Sequence, residues 1–260
     1  MPTAHNDGVD VYYETAGSGT PVLLLGDVGF GAWQWGWQHA ALAGPHETVV
    51  PEARGCGRSD PPPGPSDPST LAGDAEAVLS AAGVRSAHVV GAGLGGAVAL
   101  ALALDAGRVR SLTLLGSAAS VDGFDLDPLA ADPAEEEAVR ASLAAGLSRG
   151  FRDRHPEVLD RIVAWRCAED ADPAAWRARR AALDGFDVRD RCHEVTVPAL
   201  VVHGGADARV PPRRGETLAA DLPRGRFERV SDAGHLVHVE ASRVVNDALL
   251  DFLSTVDDGE

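Results

Sequence analysis

The sequence contains no lysine, and all 23 of its basic residues are arginine. The 39 acidic residues outnumber them, so the formal net charge at pH 7 is −16. A surface of this sign repels phosphate backbones and anionic lipids, which excludes nucleic acids and membranes as partners. The acidic residues are spread along the whole chain, which is typical of halophilic proteins. A GC-rich genome is the alternative explanation for arginine in place of lysine.

Cysteines and long apolar runs are also scarce. The three thiols, Cys56, Cys167 and Cys192, are too few and too scattered for a disulfide framework or a zinc site. The longest run without a polar residue, residues 89–104, contains four glycines and is shorter than the roughly 20 residues of a membrane helix. The first residues, MPTAHNDGVDVYYE, have neither the basic start nor the apolar stretch of a signal peptide. We therefore expect a cytoplasmic protein.

Short apolar runs alternate with helix-forming stretches along most of the chain. The continuous runs PVLLLG, ETVVPEARG, AHVVGAG, SLTLLG and PALVVHGG are typical of strands buried on both faces, whereas GVDVYYET alternates like an edge strand. The stretches DPSTLAGDAEAVLSAAG, GGAVALALALDAG and ASRVVNDALLDFLSTV favour helices. This order predicts an α/β fold with a mostly parallel sheet flanked by helices.

The region from residue 121 to residue 193 interrupts this alternation. It has no clear strand, and three stretches within it begin at a proline and continue with helix-forming residues. It predicts a helical cap inserted between two strands of a core formed by residues 1–120 and 194–260. Such an insertion would lie over the carboxyl ends of the strands, where open α/β sheets bind ligands.

The stretch VVGAGLGGAVALALAL fits two motifs. Gly91, Gly93 and Gly96 match the G-x-G-x-x-G turn of dinucleotide-binding domains, but that turn requires an acidic residue roughly 20 residues further on. The corresponding region, SLTLLGSAAS, contains no carboxylate. The other motif is the G-x-S-x-G turn of hydrolases, with Gly93 in place of the serine.

With three further stretches, this turn resembles the α/β-hydrolase superfamily over nearly the whole chain outside the insertion. PEARGCGRSDPP resembles the family's D-x-R-G-x-G-x-S loop, with Glu52 in place of the aspartate. PALVVHGGADARVPP and SDAGHLVHVE resemble the loops that present the triad acid and base, which implies these roles for Asp207 and His235. A hydrogen bond between them would leave the second imidazole nitrogen as a general base.

Two positions depart from that family. Gly93 stands at the nucleophile position and has no side chain to form an acyl-enzyme, although glycine adopts such a turn without steric cost. Gly26-Asp27 stands where the family has His-Gly. The resemblance implies the backbone N–H groups of Val28 and Leu94 as oxyanion donors. A carboxylate at Asp27 then either opposes a developing negative charge or points away and holds the loop by hydrogen bonds.

Trp33, Trp35 and Trp37 follow at alternate positions and either wall a pocket or pack in the core. Three functions stay open. The favoured one is an enzyme of hydrolase, lyase or isomerase type that acts on a small organic molecule. It would use an Asp207–His235 general base, with no covalent intermediate, metal or cofactor. The others are a protein that binds a small molecule without turnover and a serine hydrolase whose nucleophile was mutated to glycine.

Overall fold

Eight strands form one sheet in the computed structural model, which describes residues 2–259. The strands are β1 Thr3–Asn6, β2 Val9–Gly17, β3 Thr20–Leu25, β4 His46–Pro51, β5 Ala87–Ala92, β6 Val109–Leu115, β7 Ala199–Gly204 and β8 Gly225–Val230. Their order across the sheet is β1-β2-β4-β3-β5-β6-β7-β8. The two pairings of β2 are antiparallel, and all the others are parallel. The predicted α/β fold with a mostly parallel sheet is confirmed.

Helices follow most of the strands and cover both faces of the sheet. They are α1 Gly36–Leu42, α2 Pro68–Ala81, α3 Leu94–Asp105, α4 Glu136–Gly146, α5 Arg149–Arg154, α6 Pro156–Glu169, α7 Pro173–Arg180, α8 Pro212–Asp221, α9 Val237–Glu240 and α10 Ser242–Asp257. Short 3₁₀ helices lie at Ala32–Trp35, Val121–Gly123, Asp127–Leu129, Ala181–Leu183 and Arg189–Glu194. None of the helices within residues 2–259 is long and apolar enough to cross a membrane.

The central strands are apolar on both faces because each face has its own core. In β3, Leu23 packs in the core that includes α2 and α3, and the next residue, Leu24, packs in the core that includes α10. Every residue of β5 and of β7 is buried. This double burial explains the continuous apolar runs of the sequence.

The two edge strands were missed by the sequence analysis. Strand β1 has only four residues, and β8, with the sequence GRFERV, is exposed or half-buried along its whole length. An edge strand that buries little surface needs no continuous apolar run. Charged side chains on such a strand also discourage pairing with another chain. Helix α8 was missed for a similar reason, because only three of its ten residues are buried.

Between β6 and β7 the chain forms helices α4 to α7. No strand is found there among the residues that the structure describes. These helices contact the carboxyl edge of the sheet at several points. The Ala171 N–H donates to the Gly29 carbonyl at 2.8 Å, and the Ser148 N–H donates to the Glu240 carboxylate at 2.8 Å. The division of the chain at residues 121 and 193 into a core and a cap stays a prediction.

Candidate functional site

Four residues selected from the sequence meet at the carboxyl edge of the sheet. Asp27 follows β3, Gly93 follows β5 and Asp207 follows β7, while His235 lies in the loop between β8 and α9. The carboxyl ends of parallel strands lie at the same edge, so residues that are far apart in the sequence come together there.

Gly93 forms the sharp turn between β5 and α3. Its φ and ψ angles are 50° and −116°, which side chains disfavour. The turn is held by its N–H, which donates to the Leu115 carbonyl at 3.0 Å, and by its carbonyl, which accepts from Ser117 Oγ at 3.0 Å. A Cβ atom at this position would overlap the carboxylate of Asp27. Glycine is therefore favoured here both by the backbone conformation and by the position of the Asp27 carboxylate.

The carboxylate of Asp27 occupies the space beside Gly93. Its Oδ1 accepts the N–H groups of Val28 at 2.7 Å and Leu94 at 2.8 Å, and its Oδ2 lies 2.9 Å from His235 Nε2. The side chain is completely buried. The alternative in which Asp27 points away from the two N–H groups is therefore wrong. The absence of a side chain at position 93 makes room for the carboxylate, and three donors compensate the burial of its charge.

The imidazole of His235 lies between two carboxylates. Its Nδ1 is 2.9 Å from Asp207 Oδ2, and its Nε2 is 2.9 Å from Asp27 Oδ2. Burial lowers the pKa of His235, but Asp207 and Asp27 together outweigh this effect and raise it to about 10. A pKa raised in this way favours the imidazolium at neutral pH, in which both ring nitrogens donate to the carboxylates. The expectation that the second nitrogen is free is wrong, because it contacts the Asp27 carboxylate. The general-base role of the Asp207–His235 pair stays a prediction.

Asp207 is held in place by its own loop. Its Oδ1 accepts the N–H groups of Arg209 at 2.8 Å and Val210 at 2.9 Å. Burial raises the pKa of Asp207, but the adjacent His235 and His203 outweigh it and hold the pKa well below its usual range. We call Asp27, His235 and Asp207 the buried network.

Two residues that the sequence analysis did not assign to the site contact the buried network. His203 Nε2 lies 3.2 Å from Asp207 Oδ2 and 2.8 Å from the Val210 carbonyl. Its position at the end of β7, four residues before Asp207, was the available signal. Gln34 is completely buried, and its Oε1 accepts the Asp27 N–H at 3.1 Å. A buried amide among tryptophans gives no comparable signal in a single sequence.

The three tryptophans pack in different places. Trp33 is 6% exposed and donates its indole N–H to a carboxylate of the helical region, as described below. Trp35 stacks against His238 with ring centroids 4.9 Å apart, and Trp37 meets Trp165 edge to face. Trp33 and Trp35 also line a surface groove of about 320 Å³, and none of the described residues that line it belongs to the buried network.

Within residues 2–259 no group of three or more His, Cys, Asp or Glu side chains is arranged to hold a metal ion. The buried network itself contains two acids and one histidine, and the ring nitrogens of that histidine are both engaged with carboxylates.

A family model described as "Alpha/beta hydrolase family" matches residues 22–248. The chain belongs to the alpha/beta hydrolase family. It is 35% identical over 266 residues to a putative carbamate hydrolase RutD from Azorhizobium caulinodans, an alignment that covers 99% of this chain and 100% of that protein. It is 28% identical to 3-oxoadipate enol-lactonase 1 from Acinetobacter baylyi, over 84% of this chain and 83% of that protein.

A solved structure gives the same assignment. The crystal structure of the enol-lactonase from Burkholderia xenovorans superposes with a TM-score of 0.87 and 25% identity, over 97% of this chain and 100% of that chain. The names of the two relatives above, a putative carbamate hydrolase and an enol-lactonase, describe hydrolases of small molecules. The family therefore supports an enzyme of hydrolase type.

Proposed function

We propose that this protein hydrolyses small carbamates, or closely related carboxylic acid derivatives, by direct attack of water and without an acyl-enzyme. The observation that carries the proposal is the position of the Asp27 carboxylate between His235 Nε2 and the N–H groups of Val28 and Leu94. Asp27 thus takes the place that the nucleophile has in serine hydrolases. The substrate class rests on the similarity to a putative carbamate hydrolase.

Other nucleophiles near the site are poor replacements for a serine at position 93. Ser117 donates its hydroxyl to the Gly93 carbonyl. Cys56 is completely buried, and burial raises the pKa of its thiol to about 11. A thiol with such a pKa is almost entirely protonated at neutral pH and is unreactive as a nucleophile.

The buried network can carry both proton transfers of a hydrolysis. The water oxygen bonds to the substrate carbonyl carbon while Asp27 accepts one water proton. The bond to the leaving nitrogen or oxygen then breaks, and the leaving atom takes a proton from His235 Nε2. The proton on Asp27 returns to His235 across the 2.9 Å contact, which restores the resting state. Asp207 holds the imidazole ring in the orientation that both steps require.

In this proposal the N–H groups of Val28 and Leu94 bind different partners before and after Asp27 is protonated. At rest, the N–H groups of Val28 and Leu94 bind the Asp27 carboxylate. Once Asp27 is protonated, it loses the charge that favours this contact, and the donors become available for the oxyanion of the substrate.

A second function, binding of a small molecule without turnover, is favoured by the burial of the site. Asp27 is 0% exposed and His235 is 2% exposed, and the protein's own carboxylate already fills both backbone donors. The idea of a serine hydrolase with a single mutation to glycine is weakened by the same carboxylate, because a side chain at position 93 would overlap it.

The test compares the wild-type protein with an Asp27→Asn variant on a panel of small carbamates and lactones. We expect the wild type to hydrolyse at least one class, and we expect the variant to lose about 10²–10³-fold in kcat/KM. A single turnover in H₂¹⁸O should leave the mass of Asp27 unchanged, and a fluorophosphonate should label no residue.

Each other outcome has a distinct meaning. Incorporation of ¹⁸O into Asp27, or an adduct on Ser117 or Cys56, would contradict direct attack by water. Saturable binding of panel compounds without turnover would favour the binding function instead. Equal activity of Asp27→Asn and the wild type would overturn the role of Asp27.

A further inference from the structure

The helical region between β6 and β7 holds the loop that carries Asp27 through hydrogen bonds. We call residues 27–34 the Asp27 loop. We call residues 169–171, which run from the last residue of α6 into the loop before α7, the anchor segment. All three residues of the anchor segment bond to the loop through a side chain or the backbone. The Ala171 N–H, for example, donates to the Gly29 carbonyl at 2.8 Å.

Asp170 is the central contact of the anchor segment. Its Oδ1 accepts the Gly31 N–H at 3.0 Å and the indole N–H of Trp33 at 2.7 Å. The neighbouring Glu169 accepts the backbone N–H of Trp33 at 2.9 Å. The Asp170 carboxylate thus holds both the backbone and a side chain of the Asp27 loop.

A buried arginine holds Asp170 in position. Arg166 Nε lies 2.6 Å from Asp170 Oδ2, and the two side chains are 2% and 4% exposed. The same guanidinium donates to Ser142 Oγ at 2.6 Å and stacks over the ring of Phe30, 4.6 Å from its centroid. A buried ion pair seldom adds much net stability, because desolvation offsets its attraction. Its value here is the geometry that it fixes, since both partners contact the Asp27 loop.

A short chain of hydrogen bonds leads from Asp170 to Asp27. Asp170 accepts the Gly31 N–H, and the Gly31 carbonyl accepts Gln34 Nε2 at 3.0 Å. The other end of the same amide, Gln34 Oε1, accepts the Asp27 N–H at 3.1 Å. The backbone of Asp27 is therefore held by the Gln34 side chain. The Gln34 side chain is in turn held by Gly31, whose N–H is bound by Asp170.

We infer that Asp170 is a positioning residue for Asp27, acting through Gly31 and Gln34 from the helical region. This inference rests on the proposed function for its kinetic consequences, but not for its structural ones. When Asp170 is removed, the Asp27 loop keeps its bonds to Glu169 and Ala171 but loses those at Gly31 and at the Trp33 indole, and the carboxylate of Asp27 spends less time on His235. Chemistry slows as a result, because displacements of about 1 Å cost up to about 10²-fold in rate.

The test uses Asp170→Ala, Trp33→Phe and the double variant, with Asp184→Asn as a matched control. Asp184 lies in the same helical region and pairs with Arg180 at 2.7 Å, but its side chain is 71% exposed. We expect Asp170→Ala to lower kcat about 10- to 100-fold with KM changed less than about 3-fold. Trp33→Phe should have a smaller effect, and the double variant should be no worse than Asp170→Ala alone.

The pH profile separates positioning from a general loss of stability. With Asp27 loosened, the alkaline limb of kcat should move to lower pH in Asp170→Ala, since one of the two carboxylates that hold the proton on His235 is then less often in place. Asp184→Asn should match the wild type in every measurement. A fall in melting temperature with kcat and the pH profile unchanged would overturn the inference.

The His235 Nε2–H resonance gives a readout that needs no turnover. In the wild type this proton is held by Asp27, and Asp170→Ala should broaden or shift its signal, while Trp33→Phe should do so less. An unchanged signal in both variants would overturn the inference even if no substrate is found. A changed signal without any turnover would keep it and would refute the proposed function alone. If Asp170→Ala does not fold, Asp170→Asn, which keeps the size of the side chain but removes its charge, takes its place in both measurements, and the same outcomes decide.

Discussion

One buried histidine lies near the amino ends of the parallel strands and another lies near their carboxyl ends. They show how strongly the neighbouring groups determine the pKa of an imidazole. His88 lies near the start of β5, with Nδ1 2.7 Å from Ser111 Oγ and Nε2 3.1 Å from Asp257 Oδ1. His235 lies at the carboxyl edge between two carboxylates. Burial lowers the pKa of His88 despite Asp257, whereas Asp207 and Asp27 together outweigh burial and raise the pKa of His235 to about 10.

The comparison teaches that a histidine with a serine and an aspartate does not by itself make a site. Ser111 is a buried residue within strand β6, and its hydroxyl contacts His88 from a neighbouring strand rather than from a loop. At the carboxyl edge, by contrast, loops from several strands bring carboxylates and the backbone N–H groups that bind them to one point. The chemical difference between the two histidines follows from this topology.

The largest expected effect comes from replacing each histidine by glutamine. His235→Gln should lower kcat/KM by about 10²–10⁴-fold, since the variant has no group that can pass a proton between Asp27 and the leaving atom. His88→Gln should leave kcat/KM within about 2-fold of the wild type and should lower only the melting temperature. The measurements are steady-state kinetics on a substrate of the wild type and thermal unfolding of both variants. A large kinetic loss in His88→Gln would break the distinction between the two edges.

The second prediction concerns stability at Gly93. The structure places the Asp27 carboxylate where the Cβ of a serine at this position would lie. We expect Gly93→Ser to lower the free energy of unfolding by about 2–4 kcal/mol through backbone strain and overlap. Adding Asp27→Gly should restore part of this loss, so the two changes should be strongly non-additive.

Gly83 provides the matched control for this prediction. It also has a positive φ, 73°, but no atom lies within 4 Å of a Cβ built on it. Gly83→Ser should therefore cost only the backbone strain, about 1 kcal/mol. Equal losses at the two glycines, measured by denaturant unfolding, would show that Asp27 does not occupy the space beside Gly93.

The smallest expected effect is a difference in response to salt. With a net charge of −16, the exposed acidic residues repel one another in dilute buffer, where the screening length is roughly 30 Å at 0.01 M against about 3 Å at 1 M. The melting temperature should rise between these salt concentrations, while the pKa of buried His235 should change little. A flat melting temperature would leave genome composition as the explanation for the missing lysines.

Some of the fold and the site could be predicted from the sequence, for physical reasons that differ by region. The central strands were predictable because burial on both faces demands continuous apolar runs, and the edge strands β1 and β8 were not, because burial there is slight. Residues such as Asp207 and His235 were found by resemblance. The orientation of Asp27 was not predictable, since it depends on donors from two separate loops and on the space beside Gly93.

The contact with Asp170 was hidden for the same reason. It joins Gly31 and Trp33 to a residue about 140 positions away in the sequence, and no local pattern marks such a pair.

The charge state of the two histidines also sets how stability depends on pH. The pKa of His235 is raised, so its contribution to folding is complete below an unfolded pKa of about 6.5 and is lost as the pH rises through about 10. The pKa of His88 is lowered, so its contribution has the opposite sign. It costs stability as the pH falls below about 6.5.

The most direct test of the buried network is a ¹⁵N NMR titration of the histidine side chains, with Asp27→Ala used to assign and perturb the His235 signals. The account predicts that both ring nitrogens of His235 carry protons at pH 7–8 and that the ring titrates near pH 10, falling well below this value in Asp27→Ala. A neutral His235 ring in the wild type at pH 8, with a pKa that Asp27→Ala does not change, would contradict it.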